Sequence, residues 1–270
     1  MQKFSLLALG ALSIFIFSCR SPYEKLLVSK DINQKVTAAN QYYDQKKYYK
    51  ASQVYESLMP ALRGTKNYEE LYYRYCYSFY YLEDYLSASY QFKNFVSAFP
   101  KSTRADECEY MAAICLFKMS PKASLDPTAT YKAIDAMQTY VNTHPSSKNL
   151  TEANNYIDAA REKIEYKDAK AALLYYDLGE FKSSTVAYKS LMQAYPESKK
   201  SDYYQYMVIR SCYYYAKASE KAKQEERYTD AINAFQELKT FSPNSTYIND
   251  ADKIIAASQN EINKLRNEHK

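Results

Sequence analysis

The chain has 270 residues, 47% of them apolar and 25% charged, which is too apolar for a disordered polymer and long enough to bury a sizeable core. Three Gly and eight Pro against 32 Tyr and 11 Phe leave too few turn residues for a β-sandwich or barrel, so an all-α protein is expected. Gly10, Gly64 and Gly179 stand too far apart to cradle a phosphate, and His144 and His269 leave little for metal binding or a Ser-His-Asp relay. No cofactor, no metal and no enzymatic activity are expected. The net charge of +5 comes from 36 basic and 31 acidic residues, intermixed as in Lys163-Ile164-Glu165-Tyr166-Lys167-Asp168, which is the pattern of a solvated helix face and not of a nucleic-acid binder.

In chain order, the first segment has Lys3, an apolar run from Phe4 to Phe17, and then Ser18-Cys19. The run is too short to span a membrane and suits the apolar core of a signal peptide. Ile16-Phe17-Ser18-Cys19 resembles the lipobox of bacterial lipoproteins, with Phe17 where a small residue is preferred. That resemblance implies a lipoprotein signal peptide at 1–18, lipidation at Cys19 and a linker over 19–30. Acyl chains on Cys19 would hold the chain on a membrane without crossing it.

The rest of the chain repeats itself. Tyr48-x-x-Ala51-x-x-x-Tyr55-x-x-Leu58 returns as Tyr85/Ala88/Phe92/Phe95, Thr130/Ala133/Met137/Tyr140, Phe181/Ser184/Tyr188/Leu191 and Tyr228/Ala231/Phe235/Leu238. In the last four copies a proline follows, at Pro100, Pro145, Pro196 and Pro243, with Ser or Thr just beyond: a helix stop, then a helix cap. Twelve residues before the small position stand Ala39, Cys76 and Ala172, and three further on Tyr42, Phe79 and Tyr175. Small residues let two antiparallel helices approach closely, and the aromatics are expected to fill the wedge between hairpins.

This pattern resembles the tetratricopeptide repeat, with copies longer than its usual period of about 34 residues. It implies a superhelical solenoid of about five hairpins, at 31–64, 67–100, 104–145, 151–196 and 201–243, and a capping helix over 246–268. One uninterrupted helix is expected from Thr151 to Leu178, and a loop with two prolines from Ser120 to Thr130. The remaining cysteines, Cys76, Cys108, Cys115 and Cys212, lack metal or redox spacing and read as small core residues, with a Cys76–Cys108 bridge left open.

In that repeat family the concave face is built by the first helix of each hairpin. Its positions select Val36, Asn40, Tyr43 and Asp44, then Tyr73, Tyr77, Tyr80 and Tyr81, then Tyr110, Ile114 and Phe117. Asn40, Tyr43, Tyr73, Tyr77, Tyr80 and Tyr110 are the candidate peptide-binding groove, since tyrosine offers a broad apolar face and a hydroxyl at small entropic cost. The same rings could equally serve as filler between helices. In the fifth repeat Tyr206, Arg210 and Tyr214 recur at i, i+4 and i+8, a candidate partner interface that could also pack on a neighbouring helix.

Phe99-Pro100 followed by Ala105 to Phe117, Leu125-Asp126 through His144-Pro145-Ser146-Ser147, and Tyr175-Tyr176-x-x-Gly179-x-Phe181 up to Pro196 together resemble the BamD family of outer-membrane assembly lipoproteins. The family usually has Gly in the second-repeat turn, here Tyr81-Leu82-Glu83-Asp84, and Gly where this chain has Ala113. The resemblance implies a non-enzymatic scaffold, lipid-anchored on the periplasmic face of the outer membrane. Its implied partners are unfolded barrel clients at the N-terminal repeats, a BamA-like barrel protein at the C-terminal repeats, and further assembly lipoproteins. The other reading is an envelope repeat lipoprotein acting as a scaffold in cell-wall or secretion processes.

Overall fold

A computed structural model describes residues 21–268; the expected signal peptide and Cys19 lie outside the described residues. Among these residues the fold is all-α, with twelve helices and no strand. They are α1 (Pro22–Val28), α2 (Ile32–Asp44), α3 (Tyr48–Leu62), α4 (Tyr68–Tyr81), α5 (Tyr85–Ala98), α6 (Ala105–Lys118), α7 (Thr128–Thr143), α8 (Leu150–Asp177), α9 (Phe181–Ala194), α10 (Ser201–Lys217), α11 (Lys221–Phe241) and α12 (Ile248–Glu268). Three of the helices, α1, α2 and α5, start where a short polar side chain satisfies a free backbone donor. Ser21 and Glu24 cap each other reciprocally, Asp31 accepts from the Gln34 N–H at 2.9 Å, and Asp84 accepts from that of Ser87 at 3.1 Å.

Residues 21–120 and 129–157 form one compact unit, and residues 121–128 and 158–268 a second. In the first, Ala39, Ala51, Cys76 and Ala88 are fully buried at the helix crossings, surrounded by Tyr55, Phe92, Phe95 and Tyr140. The second has Ala172, Ser184 and Ala231 at the same places, under Tyr188, Tyr204 and Phe235. Ser184 retains the close approach although it is polar. Its hydroxyl donates to the Ala172 carbonyl at 3.1 Å and accepts from Ser211 at 3.1 Å, so no buried polar group is left unmatched there.

Each proline-marked loop is clasped to the first helix of its own hairpin. The serine two places after the proline donates to a carboxylate: Ser102 to Glu69 at 2.6 Å, Ser147 to Asp106 at 2.8 Å, Ser198 to Glu165 at 2.5 Å and Ser245 to Asp202 at 2.8 Å. The same oxygen accepts the N–H two residues on, at Arg104, Asn149, Lys200 and Tyr247. The serines expected only as helix caps therefore also close the hairpins. The first hairpin ends differently, on Gly64 with φ +84°, a backbone conformation that favours glycine.

Two expectations need correction. Tyr175 is 45% exposed and does not fill a wedge; its neighbour Tyr176, about 100° round the helix, packs into the core instead. The loop after α6 is shorter than expected, because Asp126 accepts from the Thr128 N–H at 3.0 Å and starts α7 there. All four described cysteines are buried free thiols, in keeping with their reading as small core residues, and burial pushes Cys108 and Cys115 up to about 12.

Candidate protein-binding surfaces

On the first unit, α2, α4 and α6 bring most of the expected groove residues together. Tyr73 and Tyr77 are one turn apart on α4, their rings 4.8 Å apart, and both hydroxyls donate to Glu107 Oε1 on α6, at 2.8 and 2.5 Å. Tyr73 is pushed up to about 12, foremost by burial and then by its bond to Glu107; Tyr77 is pushed higher still by the same causes. Both phenols are therefore neutral donors at any physiological pH. Tyr80 is half-buried among Tyr77, Tyr81 and Tyr85, while Tyr81 remains 47% exposed. Tyr43 on α2 meets the rings of Tyr48, Tyr55 and Tyr81, and Asn40 accepts from the Tyr55 hydroxyl at 2.9 Å.

A line of alternating charge crosses these rings, and the sequence reading missed it. Asp44 pairs with Arg74 at 3.0 Å, Arg74 with Glu70 at 3.0 Å, and Glu70 with Arg104 at 2.6 Å. The Arg74 guanidinium lies 5.2 Å from the Tyr43 ring and that of Arg104 lies 4.3 Å from the Tyr73 ring, so each cation also faces a π-cloud. Burial alone would raise Glu70, but hydrogen bonds from Arg104 and Arg74 hold its carboxyl below the ordinary range. The signal was present in the spacing. The clasp carboxylates Glu69 and Asp106 set equivalent sites of these two first helices 37 residues apart, so Glu70 to Arg104 and Tyr73 to Glu107, both 34 apart, each join positions offset by about one helical turn.

Tyr110 does not line the groove. It is 5% exposed and packs 5.3 Å from Tyr140, because α6 is covered by α5, α7 and α8 and is buried continuously from 110 to 115. Ile114 is buried with it, and Phe117 meets Tyr156 at 4.7 Å.

On the second unit, Tyr206, Arg210 and Tyr214 share one face of α10, and each is half-buried. Tyr206 stacks on Tyr247 at 5.0 Å, and Tyr214 stacks on Phe181 of α9 at 5.3 Å. The Arg210 guanidinium lies 4.8 Å from the Tyr176 ring and 5.7 Å from that of Tyr206. The stripe thus packs on neighbouring elements and still presents an edge to solvent. Among the described residues Arg210 has no carboxylate ion pair, a state it shares with Arg63, Arg161 and Arg227, whereas Arg74, Arg104 and Arg266 each have at least one. Leu174 of α8 and Leu178 just beyond its end are 57% and 67% exposed.

Among the described residues no group of His, Cys, Asp and Glu could hold a metal ion, and no helix is long and apolar enough to cross a membrane. No curated protein matches the chain. Residues 29–178 and 166–265 match the family described as YfiO, outer membrane lipoprotein. The two matches together cover the helical hairpins and their aromatic and charged faces, and by them the chain belongs to the YfiO (BamD) family of outer membrane lipoproteins.

Proposed function

We propose that the protein is a non-catalytic scaffold of the outer-membrane β-barrel assembly machinery, anchored on the periplasmic face through acyl chains on Cys19. The groove of Asn40, Tyr43, Tyr73, Tyr77 and Tyr80 receives unfolded barrel clients. The stripe of Tyr206, Arg210 and Tyr214 receives a BamA-like barrel protein, with other assembly lipoproteins as further partners. The observation that carries the second assignment is Arg210, a guanidinium held between aromatic rings without a carboxylate of its own. A partner carboxylate would complete it with a charge-assisted bond at low entropic cost, because the rings already fix the side chain. Family membership supports the outer-membrane setting.

The test is a pull-down from detergent-solubilised envelope, paired with crosslinking to unfolded client peptides. The wild type is expected to recover a large barrel protein with periplasmic modules. Arg210→Gln with Tyr206→Ala should lose that protein and keep client crosslinking, and Tyr73→Ala with Tyr80→Ala should do the reverse, each variant first shown to be helical. Loss of both activities from either pair would overturn the division. Recovery of a cell-wall or secretion complex in place of the barrel would favour the other envelope role.

A further inference from the structure

The net charge is unevenly placed. Residues 1–50 hold eight of the 36 basic residues and three of the 31 acidic ones, so the whole excess of +5 lies there and the rest of the chain is neutral. Three of these cations, Lys46, Lys47 and Lys50, gather at the turn between α2 and α3, all exposed and without an ion pair among the described residues. Tyr49, between them, is 64% exposed. The first described helix, α1, lies at this same end. α1 runs antiparallel to α2, which puts Tyr23 5.9 Å from Tyr42 and 5.3 Å from the Lys50 ammonium. Asp44, the nearest acid on α2, is committed to Arg74, and Glu24 to capping Ser21; Glu83 and Asp84 on the next turn mark the edge of the basic patch.

We infer that this end of the first hairpin is a membrane-docking surface, with Lys46, Lys47 and Lys50 on anionic phospholipid headgroups and Tyr49 inserted among them at the interface. It rests on the acyl anchor at Cys19 proposed above. One residue, Arg20, separates Cys19 from Ser21, a span of about 7 Å at most. An anchor so short keeps the turn within roughly one Debye length of the lipid surface, where its negative potential acts on lysines. An amphipathic aromatic beside them suits the headgroup layer, which explains why a large ring is left exposed at this turn.

The experiment uses the mature chain, residues 19–270 carrying Cys19→Ala, so that neither the apolar leader nor acyl chains contribute, with vesicles of neutral phospholipid and vesicles containing phosphatidylglycerol. The chain has no tryptophan, so Tyr49→Trp supplies a single fluorescent reporter, and Phe241→Trp on the second unit a control. Expected are binding to anionic vesicles that weakens with salt, a blue shift of the indole emission from the Tyr49→Trp variant and none from the Phe241→Trp variant. Replacing Lys46, Lys47 and Lys50 by Gln should weaken partitioning about a hundredfold, roughly fivefold per lysine. Equal binding to both vesicle types, no binding to either, or an unshifted reporter at position 49 would overturn the inference. Mass spectrometry of the wild-type N-terminus tests the anchor separately, so an unlipidated Cys19 and an inert turn are distinguishable failures.

Discussion

Glu70 is held between two guanidinium groups on an open face, and its lowered pKa fixes the sign of its contribution. A carboxylate depressed in the folded state stabilises the fold above its ordinary pKa of about 4.3 and loses that stabilisation as pH falls through the folded value. Its side chain is 47% exposed, so screening limits the effect to about 1 kcal/mol or less. Glu70→Gln should therefore lower the urea midpoint slightly at pH 7 and leave it unchanged near pH 3; a difference that survives acid would show that packing, not charge, is involved. Legibility differs sharply at this scale. The small residues Ala51, Ala88 and Ala231 declared themselves because a helix crossing excludes any larger side chain, and that exclusion recurs at fixed offsets. The choice between Tyr175 and Tyr176 did not, since adjacent tyrosines differ only in which way a helix turns them. The charge line from Asp44 to Arg104 joins residues far apart in sequence, visible only once the repeat register is applied.

Three interhelical turns share one backbone solution and use different residues for it. Lys46, Glu83 and Gly179 each stand five residues before the small position, with φ of 59°, 59° and 79°. In each, two N–H groups return to the preceding helix, as from Glu83 to Tyr80 and from Asp84 to Phe79. Only the third turn has the residue that this conformation favours, and an L side chain there costs about 1 kcal/mol. Glu83→Gly should stabilise the fold by about 0.5 kcal/mol after the greater freedom of the unfolded chain is counted. Gly179→Ala should destabilise it by about 1 kcal/mol, although an added Cβ meets nothing within 4 Å, so the cost is conformational alone. Urea denaturation of both variants checks this pair of signs. Most helices were legible from hydrophobic spacing and proline stops, and the 28-residue α8 from its lack of either breaker. The start of α7 was not, because it depends on the Asp126 side chain reaching a backbone donor beyond Pro127.

Across the molecule the four serine–carboxylate clasps divide between the two units, Ser102 and Ser147 in one, Ser198 and Ser245 in the other. Repeat proteins derive their stability from local and nearest-neighbour contacts, so losses at distant copies should add. Ser102→Ala and Ser198→Ala are each expected to cost about 1 kcal/mol, and the double variant their sum to within about 0.5 kcal/mol. Hydrogen exchange should report each loss in its own unit; a strongly non-additive double variant would mean that the copies are coupled beyond their neighbours. The repeat fold was open to reading because five copies reinforce one weak pattern. The grouping into two units was not, since nothing in the composition of α8 marks a boundary near Ile157.

The clasps also show where the chain stores its differences in length. From carboxylate to serine the four copies span 33, 41, 33 and 43 residues, yet all close at the same bond. The surplus enters at the opposite end of each hairpin, as the loop at 119–127 in the third copy and as the longer α10 and α11 in the fifth. One end of each of these four hairpins is thus a hem and the other a free margin. An epitope or reporter domain grafted at 119–127 or beside Ser219 extends that margin, whereas the same graft between a proline and its serine would unpick the stitch on which the next first helix begins.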